Sequence, residues 1–160
     1  MGPEAKLYKK LTKEWREFTF TRLENISLLG TPDLLVYNTN RHFFTIELKV
    51  TKGNKLKFSP HQIAFHIKHP DNTFIIAEAL GPRALNRFHM YRGSRIMELE
   101  ACGLELEACC LGLEACGLML AALGKKKTIT LEAPGHSPSG HFISALASRV
   151  SAARVERSHK

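Results

Sequence analysis

Apolar residues recur along the chain with two periods, and each period marks a kind of element. Leu7, Leu11 and Trp15, with Tyr8 alongside, fall at i, i+4 and i+8, while Lys6, Lys9, Lys10 and Lys13 take the other face. This pattern predicts a helix over residues 3–18, and Pro3 suits its first position. Residues 18–28 read as extended. Leu29-Gly30-Thr31-Pro32-Asp33 is turn chemistry, and Leu34-Leu35-Val36-Tyr37 is a strand-like run. Asn38-Thr39-Asn40 makes a second turn. Residues 42–50, rich in β-branched and aromatic side chains, then form the second strand of a hairpin. Residues 51–58 are a basic loop. Ser59 is placed to cap a helix with Pro60 in its first turn, running to about His69, where Pro70-Asp71-Asn72 breaks it. Residues 73–79 read as a short buried strand and 88–91 as another, and Ser94 is placed to cap a short helix.

From residue 99 the pattern changes. Leu-Glu-Ala-Cys begins at Leu99, Leu106 and Leu113, a spacing of seven that resembles heptad patterning. Glycines interrupt it, the cysteine is small, and there are only three units. Helix–turn pieces packed on a sheet, or an apolar segment facing a partner, therefore fit better than a long zipper. Lys125-Lys126-Lys127 and a Pro/Gly/Ser-rich stretch follow. Residues 142–155 carry apolar positions at roughly helical spacing beside Arg149 and Arg154, as in a basic amphipathic helix or a frayed terminus. The expected organisation is a core over 1–98, the repeat segment over 99–124 and a basic linker and tail over 125–160.

Length and composition narrow the class. A chain of 160 residues with 44% hydrophobic and 24% charged residues is expected to be one globular domain. It has no uncharged apolar stretch of about 18 residues and no apolar run near its start, so neither a membrane span nor a secretory signal is expected. A cytoplasmic or otherwise intracellular setting follows. The four cysteines Cys102, Cys109, Cys110 and Cys116 include no CxxC pair, so free thiols are expected rather than a zinc ribbon. The net charge of +8 is uneven: residues 99–124 carry only glutamates among charged residues, and the basic excess lies on either side of them. Such a basic chain commonly meets a polyanion, with nucleic acid the first candidate.

The candidate chemistry lies between Gly30 and Gln62. On the predicted hairpin, Glu47 and Lys49 are two apart near the end of one strand and so share a face, and Asp33 can meet them from the neighbouring strand. Two carboxylates at close range make a site for a hard divalent cation such as magnesium or manganese, and the backbone carbonyl of Leu48 can add an oxygen. A lysine beside them can orient water or stabilise charge on a phosphate. The competing reading is an exposed charge pair on an edge strand. Against it stand Phe43, Phe44, Ile46, Leu48 and Val50, which point to a mostly buried strand where such charges need partners. Lys52, Lys55 and Lys57 follow closely and are candidates for phosphate contacts.

The text Pro32-Asp33 … Glu47-Leu48-Lys49, with Gly30 before it and Ser59-Pro60-His61-Gln62 after, resembles the PD-(D/E)xK nuclease superfamily. The closer likeness is to the virus-type replication-repair nucleases (VRR-NUC) and the archaeal Holliday-junction resolvases. The resemblance covers about residues 4–80. It implies an α/β fold: a restriction-endonuclease-like αβββαβ core with a mixed central sheet flanked by helices, followed by a C-terminal extension. It also implies a metal-dependent DNA endonuclease using magnesium or manganese and leaving a 5′-phosphate. The implied catalytic residues are Asp33, Glu47, Lys49 and Gln62. The implied metal site comprises Asp33, Glu47, Leu48 and Glu4, with Glu14 and Glu17 as competitors for the last. The implied partner is branched, flapped or site-specific duplex DNA. A homodimer with the Leu/Cys repeat at its interface is expected if junctions are cut. Two other readings stay open: a non-catalytic nucleic-acid-binding protein with a degenerate nuclease fold, and an interaction protein working through the repeat.

Overall fold

The lysine-faced stripe at the start of the chain folds into α1 (Pro3–Glu14), with Pro3 in its first turn. The helix stops short of the predicted Phe18. Trp15 leaves helical geometry at φ −104° and ψ 61°, and both Trp15 and Phe18 are buried in the core. Next come β1 (Thr19–Arg22), β2 (Leu34–Tyr37), β3 (Phe43–Thr51), α2 (Pro60–Lys68) and β4 (Thr73–Ala79). This computed structural model describes residues 1–23, 29–81 and 87–125. The end of the first extended run, Lys126, Lys127 and the arginine-bearing tail lie outside them. β5 (Arg87–Arg92) follows, then a single 3₁₀ turn and α3 (Ile96–Cys102). Arg95, not Ser94, occupies the N-cap position of α3, and no side chain caps it. β6 (Cys110–Leu111) and α4 (Leu113–Ala121) complete the described chain.

The six strands form one mixed sheet in the order β1-β2-β3-β4-β5-β6. All neighbours are antiparallel except β3 and β4, whose parallel pairing requires the crossover that α2 supplies. The αβββαβ order and the helix-flanked mixed sheet expected from the sequence are both present. Residues 99–124 belong to the same unit, Met1–Lys126.

Alternation along β3 divides the interior in two. Phe44, Ile46 and Leu48 join Leu7, Leu11 and Trp15 of the α1 side, with Phe74, Ile76, Cys116 and Leu120. Glu47 and Lys49 point to the other face. Their register partners there are Ile75 and Ala77, which pack with Tyr91, Leu56, Phe58, Ile96 and Leu99. Each core is roofed by helices, so the charged pair of β3 sits under cover rather than on a free sheet face.

The three Leu-Glu-Ala-Cys units adopt three structures. The first ends α3, the second crosses the loop into β6, and the third opens α4. No continuous heptad helix forms, as the interrupting glycines led us to expect. The asparagines of the β2–β3 turn hold the end of α4: Asn38 Nδ2 donates to the carbonyls of Leu120 (2.9 Å) and Leu123 (3.0 Å), and Asn40 Nδ2 to that of Ala121 (2.6 Å). Its start is pinned by Trp15, whose Nε1–H donates to the Leu113 carbonyl at 2.9 Å.

This contact demands Gly117, where a Cβ would stand 2.5 Å from Trp15 Nε1. Gly117→Ala therefore sets two effects against each other. Helix propensity favours alanine by about 1 kcal/mol, whereas overpacking a buried indole costs about 1–3 kcal/mol. Net destabilisation by about 1 kcal/mol is expected in urea unfolding, and a stabilised variant would refute the tight α1–α4 contact.

Candidate functional site

The site is assembled by a helix cap. Ser59 Oγ accepts from the Gln62 backbone N–H at 3.2 Å, and Gln62 Oε1 accepts from the Ser59 N–H at 3.0 Å, a reciprocal capping box. The box holds the Gln62 side chain in one place, with its amide turned toward β3. Gln62 Oε1 also accepts from Lys49 Nζ at 3.1 Å, while its Nε2 donates to Glu47 Oε1. Only this orientation of the amide satisfies donors on one side and a carboxylate on the other. Lys49 Nζ stands 3.1 Å from Glu47 Oε1 and 5.2 Å from the centre of the Phe58 ring. The sequence-predicted Glu47, Lys49 and Gln62 thus form one connected group.

Asp33 completes it from the adjacent strand. It immediately precedes Leu34, whose register partner is Ile46, so Asp33 falls opposite Glu47. Its Oδ2 accepts from the Leu48 backbone N–H at 2.8 Å. The turn leading to it depends on Gly30, which has φ +85° and lies so close to α2 that a Cβ would meet the His61 carbonyl oxygen at 2.3 Å. Gly30 thereby lets the Asp33 turn lie against the same helix start that positions Gln62.

The electrostatics follow from burial. Glu47 is only 1% exposed, and desolvation, reinforced by the nearby Asp33 charge, raises its pKa to about 7 against the pull of Lys49 and Gln62. The Asp33 carboxyl is raised too, first by desolvation, with the Leu48 N–H and Lys49 opposing. Glu47 Oε2 is buried without a hydrogen-bond partner. A buried carboxylate oxygen whose lone pairs accept no hydrogen bond, beside a second carboxylate, fits a hard divalent cation. Magnesium is commonly held by one or two carboxylates with waters and substrate phosphates completing its shell, so two acids suffice.

The remaining candidates lie around this group. Glu4 adds to the acidic field on Asp33 and lines a cavity of about 280 Å³ with Lys49, Lys55 and Lys57. Among the described residues, no three His, Cys, Asp or Glu side chains gather as a metal-holding group, so Glu4 stands at the rim rather than in a tight triad. Lys52 is exposed on the same basic loop. Leu48 contributes its backbone here, while its side chain belongs to the α1-side core.

Two more buried titratable groups lie outside this connected group. Glu78, 1% exposed on β4, pairs with Lys10 of α1 on the sheet face away from Glu47. Its signal was a lone acid inside the otherwise apolar Thr73–Ala79 run. His66, on the inner face of α2, is fully buried with neither ring nitrogen bonded, and desolvation together with Lys49 lowers its pKa to about 4.

These shifts carry opposite signs for stability. Glu47, with a raised folded-state pKa, contributes stability below about pH 4.5 that is lost as pH rises to about 7. His66, with a lowered one, gains stability as pH rises from about 4 to about 6.5. The two offset each other in the wild type, so the comparison must be differential. In EDTA, Glu47→Gln is expected to gain stability relative to wild type progressively between pH 4.5 and 7 in thermal melts. A pH-independent difference would contradict the buried, desolvated carboxyl.

No family model and no curated protein matches the chain. Among solved structures, it is similar to a Holliday junction resolvase from the archaeal hyperthermophile Archaeoglobus fulgidus, at 22% identity and a TM-score of 0.40 over 54% of this chain and 71% of that one.

Proposed function

We propose that the chain is a divalent-metal-dependent endonuclease that hydrolyses phosphodiester bonds in DNA, with branched or flapped DNA as its substrate class. The observation that carries this reading is the opposed, desolvated pair Asp33 and Glu47, with the Lys49 ammonium 3.1 Å from Glu47 and Gln62 bridging Lys49 and Glu47. Asp33 and Glu47, with the Leu48 carbonyl, would hold magnesium or manganese. A cation bound there supplies charge neutralisation at the phosphate and acidifies a water. Lys49 directs its ammonium at the developing negative charge on phosphorus, in a site poor in water where such a charge acts strongly. Gln62 fixes both Lys49 and Glu47, so neither needs to reorganise during reaction. Lys55 and Lys57, lining the neighbouring cavity, and Lys52 on the same loop are suited to the flanking phosphates. The resulting reaction is attack of water on phosphorus with departure of the 3′ oxygen, leaving a 5′-phosphate. Symmetric cutting of a junction would call for a two-fold dimer.

The alternative reading is a DNA-binding protein that keeps this fold without cleavage. Labelled duplex, flap and four-way-junction DNA, incubated with magnesium or manganese, separates the two. Wild type is expected to cut, and Asp33→Ala, Glu47→Ala and Lys49→Ala each to lose at least about 100-fold in rate. Manganese is also expected to raise the melting temperature of wild type but not of Glu47→Ala. Binding without cutting by folded wild type would establish the alternative.

A further inference from the structure

A second cavity, of about 330 Å³, lies along the outer side of α2. That volume is at the lower end of the roughly 300–1,000 Å³ common for ligand sites. His61, Phe65, Lys68 and His69 line it at helical spacing, with Leu29 and Thr31 of the Gly30 turn as the facing wall. It shares no lining residue with the Lys49–Lys55–Lys57 cavity, but two of its lining residues stand close in sequence to residues of the site. His61 is the neighbour of Gln62, and Thr31 stands two residues before Asp33.

Its chemistry is that of a stacking platform. The Phe65 ring is half-buried, anchored at 5.6 Å edge-on to buried His66, and lies 4.7 Å from the His69 ring at 45°. Both rings line the cavity, and Lys68 lines it beside them. Aromatic faces beside a cation bind bases whose own faces are free and hold the attached phosphate. Bases inside a duplex are covered by their neighbours, so such a platform can engage only an unpaired strand.

We propose that this cavity takes an unstacked base of the strand entering the Asp33–Glu47 site, stacked on Phe65 and His69 with Lys68 on its phosphate. It rests on the nuclease reading and deepens it: the cavity selects DNA with unpaired nucleotides beside the scissile phosphate.

The test measures binding of the full chain in EDTA, so that cutting does not interfere. The probes are a blunt duplex and the same duplex with an unpaired flap carrying 2-aminopurine at successive positions. Wild type is expected to bind the flapped DNA more tightly and to change 2-aminopurine fluorescence at one flap position. Phe65→Leu keeps an apolar side chain but removes the ring. It is expected to lower the flap-to-duplex affinity ratio by about ten-fold and abolish the fluorescence change. Phe65→Tyr is expected to retain both. Lys68→Ala is expected to reduce the salt dependence of flap binding by about one charge, which Phe65→Leu does not. Equal wild-type affinity for the two DNAs, or an undiminished ratio in Phe65→Leu with an unchanged melting temperature, overturns the cavity proposal. The nuclease reading then survives if metal-dependent cutting persists and is lost in Glu47→Ala. Neither binding nor cutting of any DNA by wild type overturns both.

Discussion

The Glu47 carboxyl lies on the covered face of the central strand, almost wholly removed from water, and the neighbourhood is arranged around that burial. A charge in such a place is costly unless it is paired and hydrogen-bonded. Lys49 supplies the opposite charge from two residues along the same strand, and Gln62 supplies the hydrogen bond from α2. Gln62 in turn is held by Ser59 through the capping box, and α2 can lie against the Asp33 turn because residue 30 has no side chain. What remains uncompensated is one carboxylate oxygen and the repulsion of Asp33, the two features a cation would satisfy.

The opposite face of the sheet offers a contrast within the same fold. Glu78 is as buried as Glu47, but it meets Lys10 from a helix that also carries the main core stripe. Its pairing ties α1 to β4, whereas the Glu47 group sits where α2 begins and the basic loop approaches. A buried acid with a dedicated cation acts as a joint between elements. A buried acid facing a second acid is a place for chemistry.

The repeat segment shows how little a local motif decides when packing competes. Identical Leu-Glu-Ala-Cys tetrapeptides end one helix, lead into a strand and begin another helix. The glycines after the first and third units serve different ends. Gly103 stops α3 at a positive φ of 61°, while Gly117 lies inside α4 and admits the Trp15 indole. The difference arises outside the motif: Trp15 and the two turn asparagines hold the third copy as a helix, whereas the second is held by Arg95, which donates to the Glu107 carbonyl, and by the Met90 carbonyl, which accepts from the Cys109 N–H.

The amino-acid sequence by itself determined the elements whose signals are local. The Ser59-Pro60 cap set the start of α2, the unbroken apolar run set β4, and the turn residues around Leu34–Tyr37 set β2, each at the expected bounds. The two-residue spacing of Glu47 and Lys49 and the turn before Asp33 already placed three charges within reach, because strand alternation is a local rule. Tertiary structure decided the rest. The end of α1 was fixed by Trp15 and Phe18 turning into the core, the fate of the repeat by its distant neighbours, and the pairing of Glu78 by α1. It also decided that Gln62 touches both Glu47 and Lys49, and that His61, Phe65, Lys68 and His69 border a cavity. Such contacts join separate elements, and the local rules that set each element do not name the partner it packs against.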